Sequence, residues 1–226
     1  MSGAGVTLQL TVAATLFGSV LGIALSLARL SKVKPLSWLA RIYIDFVRGT
    51  PLLVQLVIIY FGFPALVKST GSGQFSVSQW AAAIIGLSLN SAAYLAEIFR
   101  AGIQSIEVGQ KEAAESLGLE PWQAMRYVIF PQALRRMIPP LGNEFIILLK
   151  DTSLVAFIGY QELLRQGQLV VATNFRPFEI YLTVAFIYLV MTLLSSQFFS
   201  WLERWLNPLQ AGYSSSSEAD IVSSEL

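Results

Sequence analysis

The chain contains no cysteine and no histidine, and it is poor in charge: 15 Lys and Arg against 14 Asp and Glu, together 13% of 226 residues. Soluble domains carry about a quarter charged residues. Each shortage excludes something. Without Cys there is no disulfide and no thiolate metal site; without His there is no imidazole ligand and no Ser-His-Asp triad. A net charge of +1 supplies no electrostatic attraction for nucleic acid. The uncharged stretches that result are too long for an ordinary water-soluble globule. The length suits one domain.

What is present is hydrophobic length. Apolar residues make up 54% of the chain, and the runs 6–28, 50–67, 69–96 and 180–202 hold no charged residue, the third becoming apolar near Val77. The hydrocarbon core of a bilayer takes about 20 apolar residues to cross as a helix, so each run is read as a span. A fifth run, 138–160, carries Glu144, Lys150 and Asp151, but FIILL and LVAFIGY flank the Lys-Asp pair, and it too is read as a span. The expected fold is all-α: a polytopic membrane protein with about five transmembrane helices. The first run has no basic residue before it and is too long for a signal peptide, which predicts a retained helix. Inside it, Gly18 and Gly22 form a GxxxG step. Either two helices approach closely there, or the glycines reflect the ordinary Gly content of membrane helices. One transmembrane domain is expected over 1–206. The remainder, 207–226, is Ser-rich and acidic and is read as a disordered, solvated tail.

Basic residues set the orientation. Arg29, Lys32, Lys34 and Arg41 follow the first run; Arg100, Lys111, Arg126, Arg135 and Arg136 follow the third. Only Lys68 follows the second, and Arg165 and Arg176 follow the run 138–160. The first and third loops are therefore expected in the cytoplasm, with the amino terminus outside and the carboxyl terminus cytoplasmic. Trp80 and Trp201 stand near span ends, as interfacial anchors do.

The third loop, about 100–137, is longer than a connection needs. Residues 112–117 are good or acceptable helix formers, Gly118 fits a helix end, and Pro121 fits the first turn of a second helix. Ala113, Ala114 and Leu117 share one face at three-and-four spacing. This predicts a short, small-faced cytoplasmic helix that docks in a partner's groove. A helix lying on the membrane surface fits less well, because Glu107, Glu112, Glu115 and Glu120 would be repelled by an anionic leaflet.

Glu112-Ala113-Ala114, three residues, Gly118, nine residues and Val128-Ile129-Phe130-Pro131 follow one another in this loop. The pattern resembles the EAA signature of permease subunits of ABC importers, with the last four residues a conservative variant of Ile-x-Leu-Pro. GVTLQLTVAA, DFVRGTPLLVQL, LNSAAYLAEIFRAGIQSI and FPQALRRMIPPLGNEFIILLKDTSL are similar to the subgroup for polar amino acids. The resemblance implies a permease subunit in a prokaryotic plasma (inner) membrane, forming half of a pore as a homo- or heterodimer with a second permease. It implies two ABC ATPase subunits, an extracytoplasmic solute-binding protein and an amino-acid substrate. Glu112, Ala113, Ala114, Leu117 and Gly118 would couple the chain to the ATPases. No cofactor would be bound directly; ATP and Mg would be used by the partner. The chain itself has no Gly followed by Lys, and so no GxxxxGK[ST] phosphate loop.

Charges within the runs give the second candidate site. An ionisable group at bilayer depth costs roughly 2.5–3.5 kcal/mol on insertion scales and is a functional candidate by default. Lys150 and Asp151 lie near the middle of the run 138–160, Glu144 about two turns earlier, and Glu97 ends the third run. The candidate substrate pathway comprises Asn90, Tyr94, Glu97, Lys150, Asp151 and Ser153. Lys150 and Ser153 would take an amino-acid carboxylate, and Glu97, Asn90 or Asp151 its ammonium. Alternatively, Lys150 and a carboxylate form only a structural pair. Adjacent residues do not face each other on a helix, so that partner is not Asp151 but Glu97 or a group of the second subunit. Asp45 and Arg48 are read as a structural pair, and Pro139 and Pro140 as the tolerated start of a span. An ion-coupled secondary transporter using Glu97 and Lys150 as a relay is the rival reading; it lacks a visible internal repeat and leaves the long loop without a purpose. A membrane scaffold would gain little from mid-membrane charge. An enzyme would need a constellation that the missing His and Cys remove.

Overall fold

A computed structural model describes residues 3–71 and 75–206. The tail expected to be disordered lies outside the described residues. Among the described residues ten α-helices appear in chain order: α1 (Gly3–Leu30), α2 (Lys34–Arg48), α3 (Leu52–Val57), α4 (Phe63–Ser69), α5 (Gln79–Gln104), α6 (Val108–Ser116), α7 (Pro121–Ala124), α8 (Phe130–Asp151), α9 (Leu163–Asn174) and α10 (Pro177–Leu206). Single π-helical turns join α3 to α4 and α7 to α8, and no strand occurs among the described residues. Among the described residues four helices are long and apolar enough to cross a membrane: Gly3–Leu30, Leu52–Ser69, Gln79–Gln104 and Pro177–Leu206. They match the four uncharged runs.

The fifth run takes a different form. Its helix begins well upstream, near Phe130, and ends at Asp151; residues Thr152–Ile158 tighten into a 3₁₀ helix. Gly159 closes the segment at φ 81°, a left-handed conformation that favours Gly. Two expectations change. Lys150 and Asp151 stand at the carboxyl end of a helix, not in the middle of one. A basic residue there complements the helix dipole. Pro139 and Pro140 lie in the helix interior, not at its start. Without amide hydrogens they free the carbonyls of Arg135 and Arg136.

The centre of the fold is α5, against which α1 packs along small residues. Ala82, Ala83, Leu87, Ala92, Ala93 and Ala96 are buried, as are Leu10 and Ala14 of α1. A Cβ on Gly22 would come within 2.9 Å of the Leu95 Cβ, and one on Gly18 within 3.1 Å of Ser91. The GxxxG step is thus a close helix approach. By contrast, α10 buries only Val184; its apolar side chains face outward, as lipid-facing residues do.

Two helices were not expected. In α2, Ala40, Ile44 and Val47 are buried at helical spacing, and the Tyr43 hydroxyl donates to the Leu89 carbonyl at 2.8 Å. The segment reads as a basic loop only if charge is weighed above periodicity. At the head of α9, the fully buried Glu162 carboxylate accepts from the amides of Leu164 (2.8 Å) and Arg165 (2.7 Å) and from the Tyr188 hydroxyl (2.8 Å). Burial pushes this carboxyl above the usual range, against the opposing pull of the two amides. Thr7 accepts from the Leu163 amide at 3.2 Å, so one buried cluster ties α1, α9 and α10 together.

Candidate functional site

The end of α2, the start of α3, and α5 and α8 line a half-open cavity of about 600 Å³. Asn90 and Tyr94 of α5 are four residues apart and share a face, as do Glu144, Ile147 and Asp151 of α8. All five line the cavity with Arg48, beside the apolar Leu52 and Leu154. Arg48 and Tyr94 also line an adjoining chamber of about 460 Å³ that reaches Glu97, Ser105 and Arg136.

A hydrogen-bonded frame holds this wall in place. The Asn90 amide donates to Gln55 Oε1 at 3.1 Å. Gln55 in turn donates to the Val47 carbonyl at 2.8 Å and to Thr50 Oγ1 at 2.9 Å. Val47 and Thr50 bracket the break between α2 and α3, so one glutamine joins three elements. Asn90 keeps its carbonyl oxygen as an acceptor.

The charges are arranged unevenly. The Arg48 guanidinium lies over the Tyr94 ring, 5.2 Å from its centroid, a cation–π contact. Glu144 is 8% exposed and lies in the electrostatic field of both Asp151 and Arg48. Among the described residues, none of Arg48, Glu144 and Asp151 forms an ion pair within 4 Å. Glu97, in the second chamber, is engaged: Arg100 Nη2 lies at 2.7 Å and Arg29 Nε at 3.9 Å.

The structure therefore brings together Asn90, Tyr94 and Asp151, with Glu97 next door. It does not bring in Lys150 or Ser153. Lys150 is exposed, Ser153 is half-buried, and neither lines the cavity. Adjacent residues on a helix point about 100° apart, so Asp151 facing inward carries Lys150 away. Nor does Lys150 meet Glu97, which Arg100 and Arg29 hold. The expected pair of Asp45 with Arg48 is also replaced: Asp45 bonds Arg41 at 3.3 Å on an exposed helix face, and Arg48 turns to Tyr94. Arg48, Glu144, Thr50 and Gln55 were not chosen as site residues from the sequence. Glu144 stood out only as a charge within an apolar run, and that was the one available signal.

The second site is the α6–α7 hairpin. The Leu119 amide bonds the Ala114 carbonyl at 3.1 Å and the Gly118 amide bonds the Glu115 carbonyl at 3.0 Å, with Gly118 at φ 80°. This is a Schellman motif, which needs a left-handed residue at the position of Gly118. Glu120 and Gln123 then form a capping box at the start of α7. The hairpin presents Leu117 (83% exposed), Val108, Trp122 and Tyr127 outward. Glu112 and Ala113 are exposed, but Ala114 is buried and so does not share their outward face. It is small because α6 packs there against the π turn that leads into α8. No group of three or more acidic, His or Cys residues able to hold a metal occurs among the described residues.

Comparison with known proteins agrees with this geometry. A family model described as "binding-protein-dependent transport system inner membrane component" matches residues 14–208. The probable amino-acid permease protein YxeN of Bacillus subtilis is 45% identical over 191 residues, covering 84% of each chain. The glutamine transport system permease protein GlnP of Escherichia coli K12 is 43% identical over 204 residues, covering 90% of this chain and 91% of that one. A crystal structure of an amino acid ABC transporter with histidines superposes with a TM-score of 0.82 at 44% identity, over 89% of this chain and 91% of the other.

Proposed function

The chain belongs to the family of binding-protein-dependent transport system inner membrane components, and from that premise we propose that it is the permease subunit of an ATP-driven amino-acid importer whose substrate rests in the cavity between α5 and α8. The observation that carries the reading is the cavity's chemistry. A free guanidinium, two free carboxylates, an amide oxygen and an aromatic ring converge on about 600 Å³, within the range of small-molecule sites. A zwitterion needs a cation for one end and an anion for the other.

The chain sits in a prokaryotic inner membrane with its amino terminus outside, as the basic loops require, and α8 serves as the fifth span. It pairs with a second permease subunit, receives substrate from an extracytoplasmic binding protein and docks two ATPase subunits. Gly118, Leu117, Ala113 and Glu112 form the docking surface, and Ala114 seats α6 on the hairpin's own core. Because α7 continues through a π turn into α8, displacement of the hairpin is transmitted along a helix to Glu144 and Asp151. Closure of the ATPase dimer would thus reach the cavity as a rigid-body movement. The rival ion relay has no support here, since Glu97 and Lys150 belong to different surroundings.

Purification of the complex in mild detergent tests the reading. ATPase subunits should co-purify, and wild-type complex should bind an amino acid that an Asn90→Leu complex binds poorly. Purification without an ATPase, or equal binding by both proteins, would contradict it.

A further inference from the structure

Helix α2 has three distinct sides. Ala40, Ile44 and Val47 are buried against α1 and α5. Lys34, Arg41, Asp45 and Arg48 follow one another in steps of seven, four and three residues along a second, polar side. Leu39, Ile42 and Phe46 form a third side, apolar and exposed, and the exposed Trp38 stands where this stripe meets the polar one. A helix lying in the boundary between water and hydrocarbon has this cross-section, with an amphipathic aromatic at the seam and cations beside it.

Two hydrogen bonds set the depth of α2. The Ser37 hydroxyl donates to the Arg29 carbonyl at 3.0 Å, in the last turn of α1, where the charge-free run 6–28 stops. The Tyr43 hydroxyl donates to Leu89, seven residues inside the end of the run 69–96, about 10 Å by helix rise. The helix therefore slants from the membrane surface into the hydrocarbon. Its 15 residues rise about 22 Å, too short to cross a core of about 30 Å. At its deep end the apolar stripe meets a groove of about 280 Å³, walled by Phe46, Val54 and Ile58. The polar side chains of that groove are already engaged. Tyr43 bonds the Leu89 carbonyl, Thr50 the Phe46 carbonyl, and Gln55 the Val47 carbonyl, Thr50 and Asn90. Such a groove suits a hydrocarbon chain and penalises a polar ligand.

Cations are left over at the shallow end. Arg29 lies beside Glu97, and Arg48 lies over Tyr94. Lys32 and Lys34 are exposed and form no ion pair among the described residues. Arg41 meets Asp45 at 3.3 Å, but both are exposed, and such a pair holds weakly. Three positive charges, Lys32, Lys34 and Arg41, against the one negative charge of Asp45 leave a net charge of +2 beside Trp38. Pairing this face with itself across a two-fold axis would bring like charges together. An anionic membrane surface attracts them.

We propose that α2 is a binding site for an anionic glycerophospholipid. Lys32, Lys34 and Arg41 hold the phosphate headgroup beside Trp38, and one acyl chain runs along Leu39, Ile42 and Phe46 into the groove. The bound lipid anchors the helix that ends in Arg48.

The chain has no cysteine, so Leu39→Cys places one fluorescent label of the permease on the stripe, and the unsubstituted complex measures labelling of the other subunits. The complex is reconstituted in bilayers that contain brominated phosphatidylglycerol or brominated phosphatidylcholine at the same minor fraction. Both lipids should quench the label, phosphatidylglycerol at least about threefold more strongly. High salt should reduce that preference by screening, and Lys34→Gln combined with Arg41→Gln should bring the two lipids close to equality. Equal quenching before any charge is removed, or a preference that neither salt nor the double variant lowers, overturns the headgroup site. Should the double variant fail to assemble, the response to salt decides alone. Absence of quenching by either lipid means that protein, such as the second permease, covers the stripe, and overturns the proposal as a whole.

Discussion

The cavity and the hairpin are opposites in construction. The hairpin ties its turn through a Schellman motif and a capping box, and leaves apolar side chains exposed. The cavity gathers polar groups on its wall and, among the described residues, leaves three charges without an ion pair. Exposed apolar surface on a rigid turn awaits a protein; unpaired charge in a concave site awaits a small polar molecule. The two regions are joined through α5 on one side of the hairpin and α8 on the other. The contrast teaches that binding and coupling are separable properties of this chain, and variants should divide them.

Gly118→Val should have the largest effect on coupling. A left-handed β-branched residue costs about 1–2 kcal/mol or more, and the bulk sits on the docking face. Uptake into cells should fall more than about tenfold while membrane insertion is unchanged, as measured by fractionation. Gly22→Leu probes the scaffold that both regions share. Its Cβ would meet Leu95 at 2.9 Å, and overpacking costs about 1–3 kcal/mol. Thermal unfolding of the purified complex should shift to lower temperature, and binding and coupling should weaken together. Asn90→Leu should weaken substrate affinity by about tenfold, or 1.4 kcal/mol, with basal ATP hydrolysis unaffected; isothermal titration against the preferred amino acid measures it. Lys150→Met should do least. Because Lys150 faces away from the cavity, affinity in the assembled complex should stay within about twofold, well under 1 kcal/mol. A tenfold loss would return Lys150 to the site.

How far each region was legible follows from the same contrast. The hairpin is written in consecutive residues: helix formers, Gly118 and Pro121 announce their roles by local chemistry. Only Ala114 departs, because the face it occupies is decided by where α7 and the π turn fold back. The four uncharged spans were equally plain, since hydrophobic length needs no tertiary partner. The cavity is assembled from residues between Arg48 and Asp151, and proximity over that distance leaves no periodic trace. Asn90, Tyr94 and Asp151 could be chosen as polar groups in apolar runs. Arg48 was passed over because it was assigned to a structural pair with Asp45, and Lys150 was favoured because its charge was visible while its direction was not. The helix end at Asp151 depends on Gly159 eight residues later and on the packing of the 3₁₀ segment between them. Glu162, sealed at the head of α9, owes its place to partners on α1 and α10.

The separation of binding from coupling is tested most directly by measuring substrate-stimulated ATP hydrolysis by the Gly118→Val complex in proteoliposomes, on samples whose amino-acid binding is measured in parallel. Binding equal to that of the wild type with stimulation abolished is the predicted result. Stimulation of wild-type size, or loss of binding along with it, would contradict the account.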